Sequence, residues 1–269
     1  MRDDEPAMER RPATLAPMRR VVDVEELLDG PLDDADVLRG NLRDLERVNR
    51  WLGGVRLSAH GIESLAGDRE NLTVLDVGTG GADIPLAFVG RARSRARRWI
   101  VTGIDSRPEI LAAAVARRPR LTATPDLELH LGDGRALPYP DASFDVVHTS
   151  LVTHHLSPDA VVTLLVEMRR VARLGVVVND LVRSPIGWIG AWLLVHLLTR
   201  NAYTRHDAPL SVRRAYTRRE LTALAASAGL RIDSQVAGVA GHRWAFAARS
   251  VATPSVPPET KIPAGPIVP

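Results

Sequence analysis

The stretch from Thr73 to Phe88, TVLDVGTGGADIPLAF, constrains the fold more than any other part of the chain. A short apolar run (Val74, Leu75, Val77) breaks into Gly78-Thr79-Gly80-Gly81, and a helix-compatible run follows. That order is strand, tight turn, helix, the first unit of a nucleotide-binding α/β sheet. Glycines serve such a turn because a residue without Cβ takes unusual backbone angles cheaply and lets a ligand lie against the main chain.

The flanking residues choose between ligands. A dinucleotide fingerprint asks for a third glycine three residues after the second, and Asp83 stands there, a carboxylate badly placed beside a pyrophosphate. Asp76, two positions before the first glycine, puts a second carboxylate at the end of the strand. A ligand carrying an ammonium and a sulfonium, S-adenosylmethionine (SAM), suits it better than NAD does. The stretch resembles motif I of the class I SAM-dependent methyltransferases. Ala82 replaces the third glycine of the looser G-x-G-x-G pattern, with a modest effect expected.

The resemblance continues down the chain. Trp99 to Ile104 reads as a second strand ending in Asp105, which the resemblance assigns to the adenosine ribose; Ser106-Arg107-Pro108-Glu109 reads as a capping box for the next helix. A third strand, Asp126 to Leu131, ends in Gly132-Asp133-Gly134, where Asp133 matches the acid that contacts adenine in the family. Phe144 to Val147 matches strand four, and Ser150 lies at its end. These residues (Asp76, Gly78, Thr79, Gly80, Asp83, Asp105, Ser106, Gly132, Asp133, Gly134, Ser150) are the expected cofactor set, with S-adenosylhomocysteine (SAH) as product. The implied fold is a Rossmann-like α/β domain with a seven-stranded, mostly parallel sheet and helices on both faces. The resemblance is to small-molecule enzymes similar to those acting on quinone precursors, and covers roughly residues 71–250.

Strand four runs into His154-His155-Leu156, at the carboxyl edge of the sheet where such folds bind ligands. His154 and His155 are candidate bases, and His206 and Asp180 join them as base or orienting carboxylate; structural packing competes for the histidines. The apolar segment from Ile186 to Leu198, carrying Trp188 and Trp192, must be buried against something. It reads as a substrate cover or as an ordinary core helix. Thr199 to Tyr216 reads as a polar connection between helices, with Arg205 and Arg213 as substrate contacts; the cover as a whole spans about 184–216. Thr217-Arg218-Arg219-Glu220 is a second capping box, and two final strands close the sheet around Gly241.

Residues 1–18 read as a disordered arm, 19–70 as a helical appendage and 251–269 as a Pro-rich tail. The chain has no cysteine, which excludes thiolate metal sites and disulfides, and no metal is expected because Asp180 stands without a second strand-end carboxylate. Its charged start and the missing cysteines suggest a cytoplasmic home. The pI of about 9.9 reflects arginine in place of lysine, since the net charge is only +3, so nucleic acid is not an expected partner. The Arg91 to Arg98 cluster falls where a helix should end and cations oppose its dipole. No segment reaches the ~20 apolar residues of a membrane span.

The function expected is methyl transfer from SAM to a small aromatic or hydrophobic acceptor, oxygen favoured over carbon. A SAM-binding fold that transfers no methyl group is the alternative, and an NAD-dependent oxidoreductase a third. The oligomeric state stays open, a homodimer among the options.

Overall fold

The computed structural model describes residues 18–32 and 34–251; the expected arm, apart from its last residue, and nearly all of the Pro-rich tail lie outside them. Seven strands, β1 (Asn71–Val77), β2 (Arg98–Asp105), β3 (Leu127–Leu131), β4 (Phe144–Ser150), β5 (Ala172–Leu181), β6 (Leu230–Ala237) and β7 (Arg243–Ser250), form one sheet in the order β3-β2-β1-β4-β5-β7-β6. β7 is antiparallel to both of its neighbours, and the rest of the sheet is parallel. Strand order reverses between β1 and β4, so a crevice opens at their carboxyl ends, as in doubly wound sheets.

Alternation along the strands feeds two cores. Leu75 and Val77 of β1 join Val147, Val176 and Phe246 under the helices α5 (Pro158–Val171) and α8 (Arg218–Ser227). Leu72 and Val74 face the other way, with Val101 and Val177, under α2 (Gly54–Ala66) and α3 (Asp83–Arg93). Burial on both faces is what a parallel sheet requires. α2 lies directly on the sheet: a Cβ at Gly61 would sit 2.7 Å from Val177 Cγ1, so only glycine permits this approach. A third, smaller core joins α1 (Ala35–Trp51) to α4 (Pro108–Arg117) through Leu38, Leu42, Ile110 and Ala113.

Four of the five arginines in the cluster form ion pairs within the fold. Arg91 and Arg95 pair with Glu63 of α2, while Arg93 and Arg98 pair with Asp126 before β3. The capping box at Thr217 forms as expected, with Thr217 Oγ1 accepting from Glu220 N and Glu220 accepting from Thr217 N. The one expected at Ser106 does not. Arg107 is the N-cap of α4 and its side chain makes no capping bond. Asp105 Oδ1 accepts the Arg107 N–H instead, at 3.0 Å, so the carboxylate at the strand end has taken over the turn.

Two expectations about residues 184–216 are corrected. The stretch read as a loop is a helix, α7 (Ala202–Arg214), started by Asn201, whose side chain accepts from Thr204 N, and it continues through Pro209. Its dense polar residues hide buried Leu210 and Val212, which pack it against α6 (Pro185–Leu198). α6 is not buried all round: only Val195 is, while Trp192 is 45% and Leu197 80% exposed. Its apolar circumference covers a cavity with one side and meets solvent with the other. No helix among the described residues is long and apolar enough to cross a membrane.

A half-buried phenol reports on the packing beside β4. Tyr139 lies edge-on to Phe144 and 2.8 Å from His130 Nδ1, and burial, with Glu128 adding to it, pushes its hydroxyl up to about 12. An unfolded tyrosine ionises near 10. The stability linked to the neutral phenol is thus complete below about pH 10 and lost between about 10 and 12. Phenolate absorbance should show one group with a midpoint near 12, absent from Tyr139→Phe; a midpoint near the ordinary value would mean the ring is solvated.

Candidate active site

The turn after β1 has the conformation its glycines suit. Gly78 and Gly80 take φ of 73° and 54°, and a Cβ at Gly78 would meet Val152 Cγ2 at 2.3 Å. A Cβ at Gly80 would meet nothing within 4 Å, so the space above the turn is open to a ligand. Ala82 also takes a positive φ, 53°, a position that ordinarily costs an L-residue about 1–2 kcal/mol. Its Cβ belongs to the core under α3.

Asp105, 8% exposed, stands at the edge of that space. Its Oδ2 accepts Gly80 N at 2.9 Å and its Oδ1 accepts Arg107 N, which leaves each oxygen a further lone pair. Burial raises this carboxyl, opposed by the two backbone bonds. A ribose with two vicinal hydroxyls fits the remaining pair of acceptors, so the residues present suit the cofactor. Asp76 works from below: Thr79 Oγ1 donates to its Oδ2 at 2.8 Å, and His148 Nδ1–H to its Oδ1 at 2.5 Å. Nothing local in the sequence singles out His148. Fully buried on β4, it extends the chain to Ser58 Oγ at 2.7 Å, which takes a bond from Asn179 Nδ2 at 2.8 Å. Asp76 therefore fixes the turn from inside the protein, each of its oxygens holding one internal bond.

The remaining cofactor candidates divide. Asp83, raised by burial, accepts from Asn49 of α1 at 3.0 Å and ties that helix to the turn. Gly132 and Gly134 sit against Ile104 and Val77, where a Cβ would clash. Asp133 is held by Arg135, which keeps its carboxyl below the usual range. Ser106 is exposed. Ser150 Oγ accepts from the fully buried Arg243, whose other amino group donates to Asn49 Oδ1 at 2.8 Å.

A cavity of about 390 Å³ lies between α1, α6, α7 and the ends of β4 and β5. Leu45, Val48 and Leu52 of α1, Ile186 and Leu194 of α6, and Val212 of α7 make its walls apolar. Polar groups gather at one end, where His154 and His155 face Glu26. His154 Nδ1–H donates to Asp180 Oδ1 at 2.6 Å; a bonded carboxylate only accepts, so the lone pair of His154 is on Nε2. Asp180 also accepts from Thr153 N and Oγ1 and from Leu181 N. Burial alone would raise Asp180, yet His154 and these donors hold it well below the usual carboxylate range.

Glu26 was not among the sequence candidates. It comes from the strap 18–32, and burial pushes its carboxyl up to about 7, against the pull of His155 and a bond from Ser211. The strap is fastened at several points. Asp207 accepts Leu27 N and Leu28 N at 2.8 and 3.0 Å, and Arg107 donates to the carbonyls of Leu28, Asp29 and Gly30. Asp29 lies 2.8 Å from His155 Nδ1 and 2.7 Å from Arg214; despite its burial, these two keep it well below the usual range. In sequence Glu26 is one acid in VVDVEELLDG, and nothing local distinguishes it from a solvated helix start.

Several candidates stand elsewhere. His206 is half exposed and pairs with Asp207 at 2.7 Å, outside the cavity lining. Arg205 donates to the carbonyls of Thr199 and His196, closing the end of α6. Arg213 is exposed, and only its carbonyl is engaged, by Val21 N. Trp188 and Trp192 point from α6 away from the cavity, Trp192 stacking on His196. The helix period explains it: the side of α6 that reaches the cavity carries Ile186, Gly187, Gly190 and Leu194.

Comparison with known proteins agrees with this geometry. Residues 74–175 match the family model of a methyltransferase domain. A phosphatidylethanolamine N-methyltransferase of Cereibacter sphaeroides is 39% identical over 116 residues, 41% of this chain and 52% of that protein. The ubiquinone/menaquinone biosynthesis C-methyltransferase of Rickettsia akari is 35% identical over 75 residues, 28% of this chain and 30% of that protein. The chain thus spans about half or less of these curated relatives. Human N-acetylserotonin methyltransferase, solved in complex with SAM, superposes with a TM-score of 0.58 at 15% identity, over 84% of this chain and 61% of that one, a likeness of fold. Residues 74–175 are thus a methyltransferase domain, and the fold around them is that of solved SAM-dependent methyltransferases.

Proposed function

We propose that this protein transfers a methyl group from SAM to a hydroxyl oxygen of a small, apolar, phenol- or quinol-like acceptor held in the cavity between α1, α6 and α7. The observation that carries the reading is the lone pair of His154 Nε2, aimed into an apolar cavity by the bond between Nδ1–H and Asp180. The volume, about 390 Å³, lies in the range of small-molecule sites. Apolar walls admit an aromatic ring, and the polar end fixes its hydroxyl where the proton can leave. The cofactor supplies the methyl group: a C–O bond forms as the S–C bond breaks and its electron pair goes to sulfur.

The protein's share is alignment, exclusion of water and removal of the hydroxyl proton. The relatives named above act on nitrogen and on carbon by their names, so kinship leaves the accepting element open. What favours oxygen is the proton-accepting group itself, which a carbon or amine nucleophile needs less. The deciding experiment pairs thermal unfolding with mass analysis. SAH at about 100 times its dissociation constant should stabilise the fold by about 2.7 kcal/mol, and a phenol panel incubated with SAM should yield one product heavier by a methyl group. Stabilisation without any methylated product would favour a SAM-binding fold that transfers nothing.

A further inference from the structure

We propose that Glu26, His154 and His155 form a binding site for one divalent transition-metal ion, zinc being the chemical fit, with an open coordination position facing the cavity. This rests on reading the cavity as the acceptor site, and it says what draws the hydroxyl proton away. The three side chains each offer one ligand atom, all within 4.8 Å of one another. Glu26 Oε1 lies 3.8 Å from His154 Nε2, and Glu26 Oε2 lies 3.9 Å from His155 Nε2. Zinc sits about 2.0–2.1 Å from imidazole nitrogens. A tetrahedral centre then needs edges of roughly 3.4 Å, so an ion would draw together ligand atoms that now lie within 4.8 Å of one another.

Three further observations point to an ion. Glu26 is 4% exposed, and its Oε1, turned toward His154, has no hydrogen-bond partner among the described residues, while Oε2 takes the Ser211 hydroxyl at 2.8 Å. An unpartnered buried oxygen is costly unless something meets it. His154 Nδ1 bonds Asp180 at 2.6 Å, His155 Nδ1 stands 2.8 Å from Asp29 without the geometry of a hydrogen bond, and each Nε2 is turned toward Glu26. Metal-binding histidines are usually held as His154 is, by an outer carboxylate. Three carboxylates, Glu26, Asp29 and Asp180, crowd the two imidazoles. Arg214 Nη1 is 3.7 Å from Glu26 Oε1 but directs its bond to Asp29 at 2.7 Å.

Two histidines and one carboxylate with a fourth position open is a zinc set that keeps room for a reacting oxygen. An acceptor hydroxyl entering that position exchanges its O–H bond for an O–metal bond and releases the proton to solvent, since a bound divalent ion lowers the pKa of a coordinated oxygen strongly. In the loaded protein, His154 gives its lone pair to the ion, and the ion replaces the imidazole as the activating group. The absence of a second strand-end carboxylate, which argued against a metal from the sequence, is made good by Glu26 from the strap.

The test is a titration of the full-length, chelator-treated protein with Co²⁺, read by visible absorption and calorimetry with no acceptor present. We expect one ion per chain, a spectrum of nitrogen–oxygen coordination, displacement by Zn²⁺, and at least a tenfold loss of affinity in Glu26→Gln and in His155→Ala. His196→Ala, on the open side of α6, should bind as the wild type does, and SAH binding in every variant reports an intact fold. No binding, or binding unaffected by Glu26→Gln and His155→Ala, overturns the site. Methylation of a hydroxyl by metal-free protein also overturns it while the cavity reading stands. One ion bound by these ligands with no hydroxyl methylated supports the site and removes the cavity reading.

Discussion

His154→Ala is expected to lower turnover by about 10²–10⁴-fold while SAH binds as before, because the change removes the group that receives or activates the acceptor proton. The effect should fall on kcat more than on KM. Apolar walls hold the acceptor ring, and His154 acts on the oxygen that carries the reaction. The cofactor turn is built from other residues, so calorimetric SAH affinity separates a catalytic defect from misfolding. Asp180→Asn should reproduce much of the loss without touching the acceptor. An amide can offer His154 a donor where the ring needs an acceptor, and the ring then turns or changes tautomer. Equal turnover in wild type and His154→Ala would leave proximity as the whole of catalysis.

The second large effect is at the ribose. Asp105→Ala removes two charge-assisted acceptors and the bond that fixes Gly80 N. Hydrogen bonds to charged groups contribute about 1.5–3 kcal/mol each, so SAH affinity should drop by at least about 100-fold, and the thermal stabilisation by SAH should vanish at ordinary concentrations. Asp133→Ala should cost less, since that carboxylate is exposed and already shared with Arg135. If Asp133 proved the more sensitive position, the cofactor would lie farther along the sheet edge than the geometry of Asp105 places it.

The cofactor half was legible in the sequence because it is local. A strand, a glycine turn and a strand-end acid leave signals within a few residues of one another, and Asp76, Gly78 and Asp105 announce themselves without tertiary information. The acceptor half is assembled from distant pieces. Glu26 meets His154 only because Arg107 and Asp207 fasten a strap whose own sequence looks like a helix start. Tryptophans four apart on α6 look like a covering face, but an apolar helix of that kind has no moment to say which side turns inward, and the small residues Gly187 and Gly190 went to the cavity. α7 was misread for a related reason. Arg, His, Asp and Pro at its surface resemble a connection, and the burial of Leu210 and Val212 becomes visible only against α6.

The strap also bears on how such proteins inherit specificity. The segment recognisable by kinship runs from residue 74 to 175 and carries the glycine turn after β1, yet Glu26 lies before it, Asp180 and α6 after it. Recombination or grafting at those borders would move a cofactor module intact and leave the choice of acceptor behind. Relatives that share the module could then differ in what they methylate, and on the proposed reading the acceptor of this protein is chosen by its strap and by α1, α6 and α7.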